Sequence, residues 1–594
     1  MTSIKHLNLL RRVTLVLVIM VGIVLSMKSI REPDLWWQLR TGELILEKGE
    51  VPRTDVFSYS YEDVEWVNVK WGYEVLQALI TKLGGPEFLP LLQVIATIFL
   101  LLILMRTILV VGRNIIGENF RPSVGTAMVL LLALVIMEYR MTGRPECVSH
   151  LMAAAFIFLF VQHRLKPSLW IFMIVPLQIL WTNLHEAYGM GIVFAIMFAT
   201  AAWIEYYWFS NKRWYSGTMA VEVPRLMTLA AFLCIVATCV NPRGVELLTH
   251  VGEIFSQLGE NKFTVELYSF KEVKFWTIRS VIGLLSIVIA MYLFSTKSEL
   301  AGNTPMFFWK RLINRIGLGY VLLLIAMTYL SLSAYRNIPF AVIAAVPLIA
   351  VAADRRFLGK AENAANAKYH LGAIVMGLVL YVGVVSGLYY KAFNSGEEYG
   401  LKVNIKKAPH GAAAFIKTNK IQGRAFTDYL SSSYLLWNLQ PDFKTYIDLR
   451  DLDIYPAVFL KNNFMLYEMP DKVFPLADGD MTFDYIMILN NSLMNKLHRY
   501  LLQNPKFDLV YGDALSSLYL RSNENNQKVI EEHGFKAGGH DVFRTRSPIV
   551  PSGFAKLITR IFNPLYEEPD VESVNEPEDR VLYYQYLGIT PQVP

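Results

Sequence analysis

Cysteine is nearly missing from this chain: Cys147, Cys234 and Cys239 are the only three in 594 residues, and all lie within or beside apolar runs. That excludes a disulfide framework and any thiol spacing suited to a metal. Charge is also scarce, at 18% of residues, and no block of one sign stands out, so the formal net charge of +6 gives no footprint for nucleic acid. Behind Lys5, Arg11 and Arg12 the apolar run from Val13 to Met27 is followed by no small-x-small cleavage site. It is therefore expected to stay in place as a first helix with its N-terminus in the cytoplasm.

What the chain has instead is apolar surface. Hydrophobic residues make up 54% and aromatic residues 13%, too much for a soluble protein of this length. Runs long enough to cross, or nearly cross, the hydrocarbon fall at 13–28, 88–110, 123–138, 149–163, 169–182, 188–208, 225–240, 281–295, 317–334, 338–352 and 371–392. The expected fold class is mainly α, a polytopic membrane protein of about eleven transmembrane helices with a C-terminal extracytoplasmic α/β domain.

Orientation follows from the turns. Arg113, Arg121, Arg164, Lys166, Lys212, Arg213, Lys310, Arg311, Arg315, Arg355, Arg356 and Lys360 fall on the side of the N-terminus, the positive-inside pattern. An odd number of spans then leaves the chain after about residue 393 outside the cytoplasm. The expected division is 1–394 for the membrane domain, with 29–87 as its first outer loop, 395–546 for the α/β domain and 547–594 for a partly mobile acidic segment.

The same orientation gathers Asp34, Asp55, Lys70, Arg140, Arg144, Glu146, His185, Glu186, Asn241, Arg243 and Arg336 at the outer boundary. Water alone accounts for polar residues on outer turns. Their joint presence on short turns, where ionisable groups are costly to hold, points to a shared polar cavity.

In the first outer loop, Leu35, Trp36, Leu39, Leu44, Ile45 and Leu46 recur at near-helical spacing among Gln38, Arg40, Glu43, Glu47 and Lys48, which predicts an interfacial helix with Trp36 and Trp37 at the headgroup layer. Asp34, after Pro33, also suits the N-cap of that helix. Beyond residue 395 the pattern alternates: helical character at Gly411–Thr418 and Ser431–Leu439, strands at Arg424–Thr427, Thr445–Asp448, Asp484–Leu489, Phe507–Tyr511 and Ser517–Leu520. Asp448, Arg450, Asp451 and Asp453 form a charged cluster, read either as a solvated loop with internal ion pairs or as a ligand site.

Asp34 after the first span, the helix that follows, the turn from Gly49 to Pro52 and Lys70-Trp71 before the next apolar helix resemble the first outer loop of GT-C class glycosyltransferases. The Lys-Pro-Pro of the protein O-mannosyltransferases and lipid A aminoarabinose transferases is replaced here by Lys70-Trp71-Gly72. A nearer resemblance is to a group of bacterial polytopic membrane proteins, carried by Asp34-Leu35-Trp36-Trp37, Arg144-Pro145-Glu146, Trp181-Thr182-Asn183-Leu184-His185, Asn241-Pro242-Arg243-Gly244 and Arg336-Asn337-Ile338-Pro339.

The resemblance implies transfer of a sugar from a polyprenyl-phosphate donor to a lipid or glycan acceptor at the outer face of a bacterial cytoplasmic membrane. Its first-loop acid would be Asp34, with Asp55 as second candidate. Such a transfer needs a carboxylate to take the acceptor's proton and cations for the departing phosphate. Lys70, Arg140, Arg144, Arg243 and Arg336, with Glu146 and His185, are the expected donor-binding set. Some enzymes of the class use a divalent metal, but His185-Glu186 is no ligand motif and the sequence assigns no metal ligands and no other cofactor. Membrane lipids are expected partners and nucleic acid is not. Two other functions remain open: a flippase or transporter of lipid-linked glycan, and a non-catalytic scaffold for envelope assembly. Span interiors almost free of ionisable residues, without internal repeats, weigh against transport.

Overall fold

The computed structural model describes residues 2–215, 219–252, 269, 305–358, 367–393, 395–404, 408–535 and 553–562. The expected span at 281–295 and the acidic residues from Glu567 to Asp579 lie outside them. The chain divides into two compact units, one of Met1–Lys28 with Leu89–Gly400 and one of Ser29–Phe88 with Leu401–Pro594.

The first unit is helical. Among the described residues, six helices are long and apolar enough to cross a membrane: His6–Ser26, Pro86–Ile115, Glu146–Leu165, Glu186–Phe209, Tyr335–Arg355 and Ala367–Val385. Shorter apolar helices, Leu169–Leu184 and Leu318–Ser333, accompany them, and Val124–Met137 and Glu222–Thr238 occupy two more of the expected positions. With lipid tails as apolar as the side chains, close packing must hold such helices together. Phe160 and Phe198 stack with centroids 4.6 Å apart, and Gly125 lets its helix run so near the backbone of Asp354 that any Cβ there would collide. Asp354 in turn accepts from the N–H groups of Ser123 and Thr126 at 2.9 and 3.1 Å, satisfying the open donors at the start of Val124–Met137.

The second unit is built on a four-stranded sheet of β1 (Ala425–Thr427), β2 (Tyr485–Leu489), β3 (Phe507–Gly512) and β4 (Ser516–Arg521), in the order β1-β2-β4-β3. β1 runs parallel to β2, with Ala425 opposite Tyr485, while β4 is antiparallel to both β2 and β3. Every residue of β2 is buried, as the unbroken apolar run Tyr485-Ile486-Met487-Ile488-Leu489 requires of a strand covered on both faces.

Residues 29–88 belong to this unit because main-chain hydrogen bonds stitch them to its C-terminal part. Ile30 donates to Lys402 at 2.8 Å, Asn404 donates to Ile30 at 2.7 Å, and Thr445 donates to Phe57 at 2.9 Å. The expected strand at Thr445–Asp448 is reduced to an isolated bridge between Thr445 and Ser58, because Asp448 and Arg450 turn the chain into a buried ion network instead. Helices His410–Thr418 and Ser432–Asn438 form where the pattern places them.

Candidate functional site

The expected site residues fall into two groups, one in each unit. In the second unit, Asp34 is the first residue of helix Asp34–Lys48 and is half-buried. Pro33 takes the N-cap place and no side chain caps the helix, so Asp34 is not the cap; a carboxylate in the first turn is favoured there by the helix dipole. The helix sits hard against Trp71–Gly84, where Gly42 passes the carbonyl of Glu74 with no room for a Cβ. Trp36 and Trp37, expected at the headgroup layer, are buried: Trp36 meets Tyr434 and Trp437 with ring centroids 4.9 Å away, and Trp37 faces Trp66 at 6.1 Å.

Lys70 occupies the N-cap of Trp71–Gly84, its N–H bonded to Asn68 Oδ1 at 2.9 Å and its ammonium 5.3 Å from the Trp37 ring centre. Asp34 and Lys70 meet electrostatically at Asp451. Burial pushes the Asp451 carboxyl up to about 8, the negative charges of Asp34 and Asp453 add to the rise, and Lys70 opposes it. Tyr429 donates its hydroxyl to Asp451, whose backbone is held in the left-handed region at φ 47°. Strained non-glycine backbone of this kind gathers at functional sites. Glu74, fully buried, is also lifted by burial to about 8, against the pull of its 2.6 Å bond from Asn68 and of Lys70.

Asp55 is placed differently. It has no exposed surface, and its Oδ1 accepts from the N–H of Phe57 at 2.8 Å and from Arg450 Nη1 at 2.6 Å, while Oδ2 accepts from the Ser58 hydroxyl at 2.5 Å. Arg450 also donates Nε and Nη2 to Asp448 at 2.9 and 2.7 Å, with its guanidinium carbon 5.2 Å from the Phe57 ring centre and 5.0 Å from that of Trp66. Asp448 and Arg450 thus form a desiccated ion network rather than a solvated loop. Arg450 holds the Asp448 carboxyl below the usual range despite burial, which alone would raise it.

In the helical unit the centre is Glu146. It begins helix Glu146–Leu165 with Pro145 at the N-cap, and it accepts from Arg140 Nε at 2.7 Å and also from Nη2. Arg140, His150, Arg336 and His185 all act on its charge. Arg336 stands half-buried on the turn Tyr335–Asn337 and makes no side-chain hydrogen bond among the described residues. Arg144 is half-buried just before Pro145. His150, one helical turn beyond Glu146, is buried against Phe340 at 5.0 Å.

His185 closes helix Ile174–Leu184 and caps the short turn after it. Its Nδ1 lies 2.6 Å from the Ser149 hydroxyl and receives the N–H of Ala187 at 3.3 Å. Asn183 bonds the carbonyls of Ile179 and Val240, tying this helix end to the Asn241–Gly244 turn. On that turn Arg243 pairs with Glu246 at 3.2 Å.

Sequence reasoning missed His150, Ser149 and the buried pair Lys28 and Glu138, in which Lys28 also donates to the Glu138 carbonyl at 2.6 Å. A lysine at the end of the first span was the available signal. Among the described residues no group of three or more His, Cys, Asp or Glu side chains is arranged to hold a metal ion.

No protein-family model matches the chain, and no curated protein matches its sequence. Its fold is similar to the crystal structure of an apo oligosaccharyltransferase from Archaeoglobus fulgidus, at 11% identity and TM-score 0.52, covering 86% of this chain and 74% of that one. The archaeal oligosaccharyltransferase AglB from Archaeoglobus fulgidus, in complex with an inhibitory peptide and a dolichol-phosphate, aligns at 10% identity and TM-score 0.49, covering 84% and 72%. At 11% identity the likeness to the apo oligosaccharyltransferase is one of fold.

Proposed function

We propose that the protein is a membrane glycosyltransferase that moves a sugar from a polyprenyl-phosphate donor to an envelope acceptor at the outer side of a bacterial cytoplasmic membrane. The observation that carries this reading is the gathering of charge around Glu146 at helix ends of an otherwise apolar unit, in a fold shared with an oligosaccharyltransferase. Isolated charges in such surroundings are costly and are kept where a polar ligand or an ion is handled.

Asp34 is the proposed base. Its carboxylate takes the proton of the acceptor hydroxyl, the oxygen forms a bond to the anomeric carbon, and the bond from that carbon to the phosphate oxygen breaks, leaving both electrons on polyprenyl phosphate. Asp55, bonded to Arg450, Ser58 and the N–H of Phe57, is assigned to holding the loop instead. The phosphate is assigned first to Arg336, since Arg140 is committed to Glu146 and Arg243 to Glu246, and a guanidinium suits two phosphate oxygens at once. Lys70, Arg144 and His185 complete the proposed set, in a membrane domain of about eleven spans with the C-terminal part outside the cytoplasm.

The test is the profile of polyprenyl-phosphate sugars and envelope glycans in cells lacking the protein, complemented with wild type or Asp34→Asn. Accumulation of one lipid-linked sugar, loss of one residue from a glycan, and rescue of both by wild type alone are expected. Full rescue by Asp34→Asn would remove Asp34 from the chemistry, and an unchanged lipid-linked sugar pool would overturn the transferase reading.

A further inference from the structure

Near its C-terminal end the second unit includes the helix Gly553–Phe562, whose two sides differ. Ala555 and Thr559, four residues apart on one side, are buried at 0% and 1% exposure, while Leu557 and Ile561, on the opposite side, are exposed at 54% and 63%. The segment carries two basic residues, Lys556 and Arg560, and no acid. Its buried side is tied to the end of a span. Thr559 Oγ1 accepts the main-chain N–H of Leu401 at 3.2 Å. Leu401 follows Gly400, whose own N–H bonds the carbonyl of Met27 at 2.9 Å, and Met27 is the residue after Ser26, where the membrane-crossing helix His6–Ser26 ends. Two hydrogen bonds and the peptide link between Gly400 and Leu401 therefore join Gly553–Phe562 to a membrane boundary.

We propose that Gly553–Phe562 is a membrane-surface clasp: the side bearing Leu557 and Ile561 lies in the phospholipid leaflet at which His6–Ser26 ends, and Lys556 and Arg560 supply positive charge for the headgroup phosphates. A phospholipid surface offers both kinds of partner at one depth, acyl chains for the aliphatic pair and phosphate for the bases. A helix of this length reaches about 15 Å, too short to cross the hydrocarbon, so it lies along the surface. The second unit has another such stripe where its chain runs into a span. Leu76, Leu79 and Leu83 are exposed on Trp71–Gly84, which Gly85 alone separates from Pro86–Ile115. In both places exposed aliphatic side chains stand where the chain meets a span, as contact with lipid requires. The clasp fixes the chain just after Leu401 at the membrane surface, and it does not depend on the transferase reading.

The experiment uses the full-length protein in nanodiscs of phosphatidylcholine and phosphatidylglycerol, with the photoreactive p-benzoylphenylalanine replacing Leu557 or Ile561. Both side chains are exposed, so the replacements should leave the thermal midpoint unchanged. After illumination, mass spectrometry is expected to find phospholipid adducts at both positions, as at Phe99, an exposed residue within Pro86–Ile115 that serves as the positive control. Leu476, exposed in the second unit and distant in sequence from every span, should capture none. Lipid adducts at Phe99 but at neither Leu557 nor Ile561 would overturn the proposal. So would equal capture at Leu476, or adducts to a second copy of the chain or another protein in place of lipid. Lys556→Glu combined with Arg560→Glu should lower capture at Ile561 at least about 5-fold in the same discs. Capture unchanged by that reversal would overturn the assignment of the phosphates to these two bases.

Discussion

Arg450 donates Nη1 to Asp55 Oδ1 over 2.6 Å across a separation of 395 residues, and neither side chain has any exposed surface. The pair joins the segment after the first span to the C-terminal part of its unit. The same carboxylate also accepts from the N–H of Phe57 and the hydroxyl of Ser58.

Asp55→Ala leaves the guanidinium of Arg450 with only Asp448, in a place water does not reach. Removing one partner of a buried ion pair costs on the order of 3–5 kcal/mol. A fall in thermal midpoint, with residues 29–88 becoming open to limited proteolysis, is the expected outcome. An unchanged midpoint would count against the network as an anchor.

Asp34→Asn should behave in the opposite way. Asn keeps the size and shape of this half-buried side chain, so the midpoint should change little, while turnover of a polyprenyl-phosphate sugar falls on the order of 10²- to 10⁴-fold. Normal turnover by a folded Asp34→Asn protein would end its role as base.

Glu74 makes stability depend on pH. Burial raises its folded value to about 8 from the ordinary 4.5, so between these values the folded protein holds a proton that the unfolded chain has released. The contribution is fully present below the ordinary value and is lost as pH rises through about 8, so stability declines with rising pH across that window. Asp451, raised to about 8 first by burial and then by Asp34 and Asp453, acts in the same direction. Thermal midpoints from about pH 5 to about pH 8 should fall less steeply for Glu74→Gln than for wild type; parallel curves would show that the carboxyl is already ionised when folded.

Arg140 and Arg336 act on the same carboxylate yet should separate on substitution. Arg140→Ala strands Glu146 in a buried position and should cost on the order of 3–5 kcal/mol in stability. Arg336→Ala breaks no side-chain hydrogen bond among the described residues, so stability should change by less than about 1 kcal/mol while polyprenyl-phosphate affinity drops about 10-fold. Equal loss of stability in both variants would make Arg336 a structural cation.

The segments themselves were legible wherever the signal is local. The unbroken apolar run Tyr485–Leu489 reads as a strand covered on both faces and is one, and the helices at His410–Thr418 and Ser432–Asn438 follow from residue spacing. Thr445–Asp448 has the same local character but became a turn, because its neighbour Arg450 found a buried acid far away in sequence.

The sequence by itself determined that the chain is an apolar helical protein with an α/β part, and which polar residues cluster near the ends of its spans, since hydrophobic runs and their punctuation depend on near neighbours alone. Only the tertiary structure decided that Asp55 is sealed by Arg450, that Trp36 and Trp37 pack inward on Tyr434, Trp437 and Trp66, and that Ser149 meets His185. A buried charge or donor must find a partner of opposite character, and packing between distant segments selects that partner; no periodicity along the chain records it.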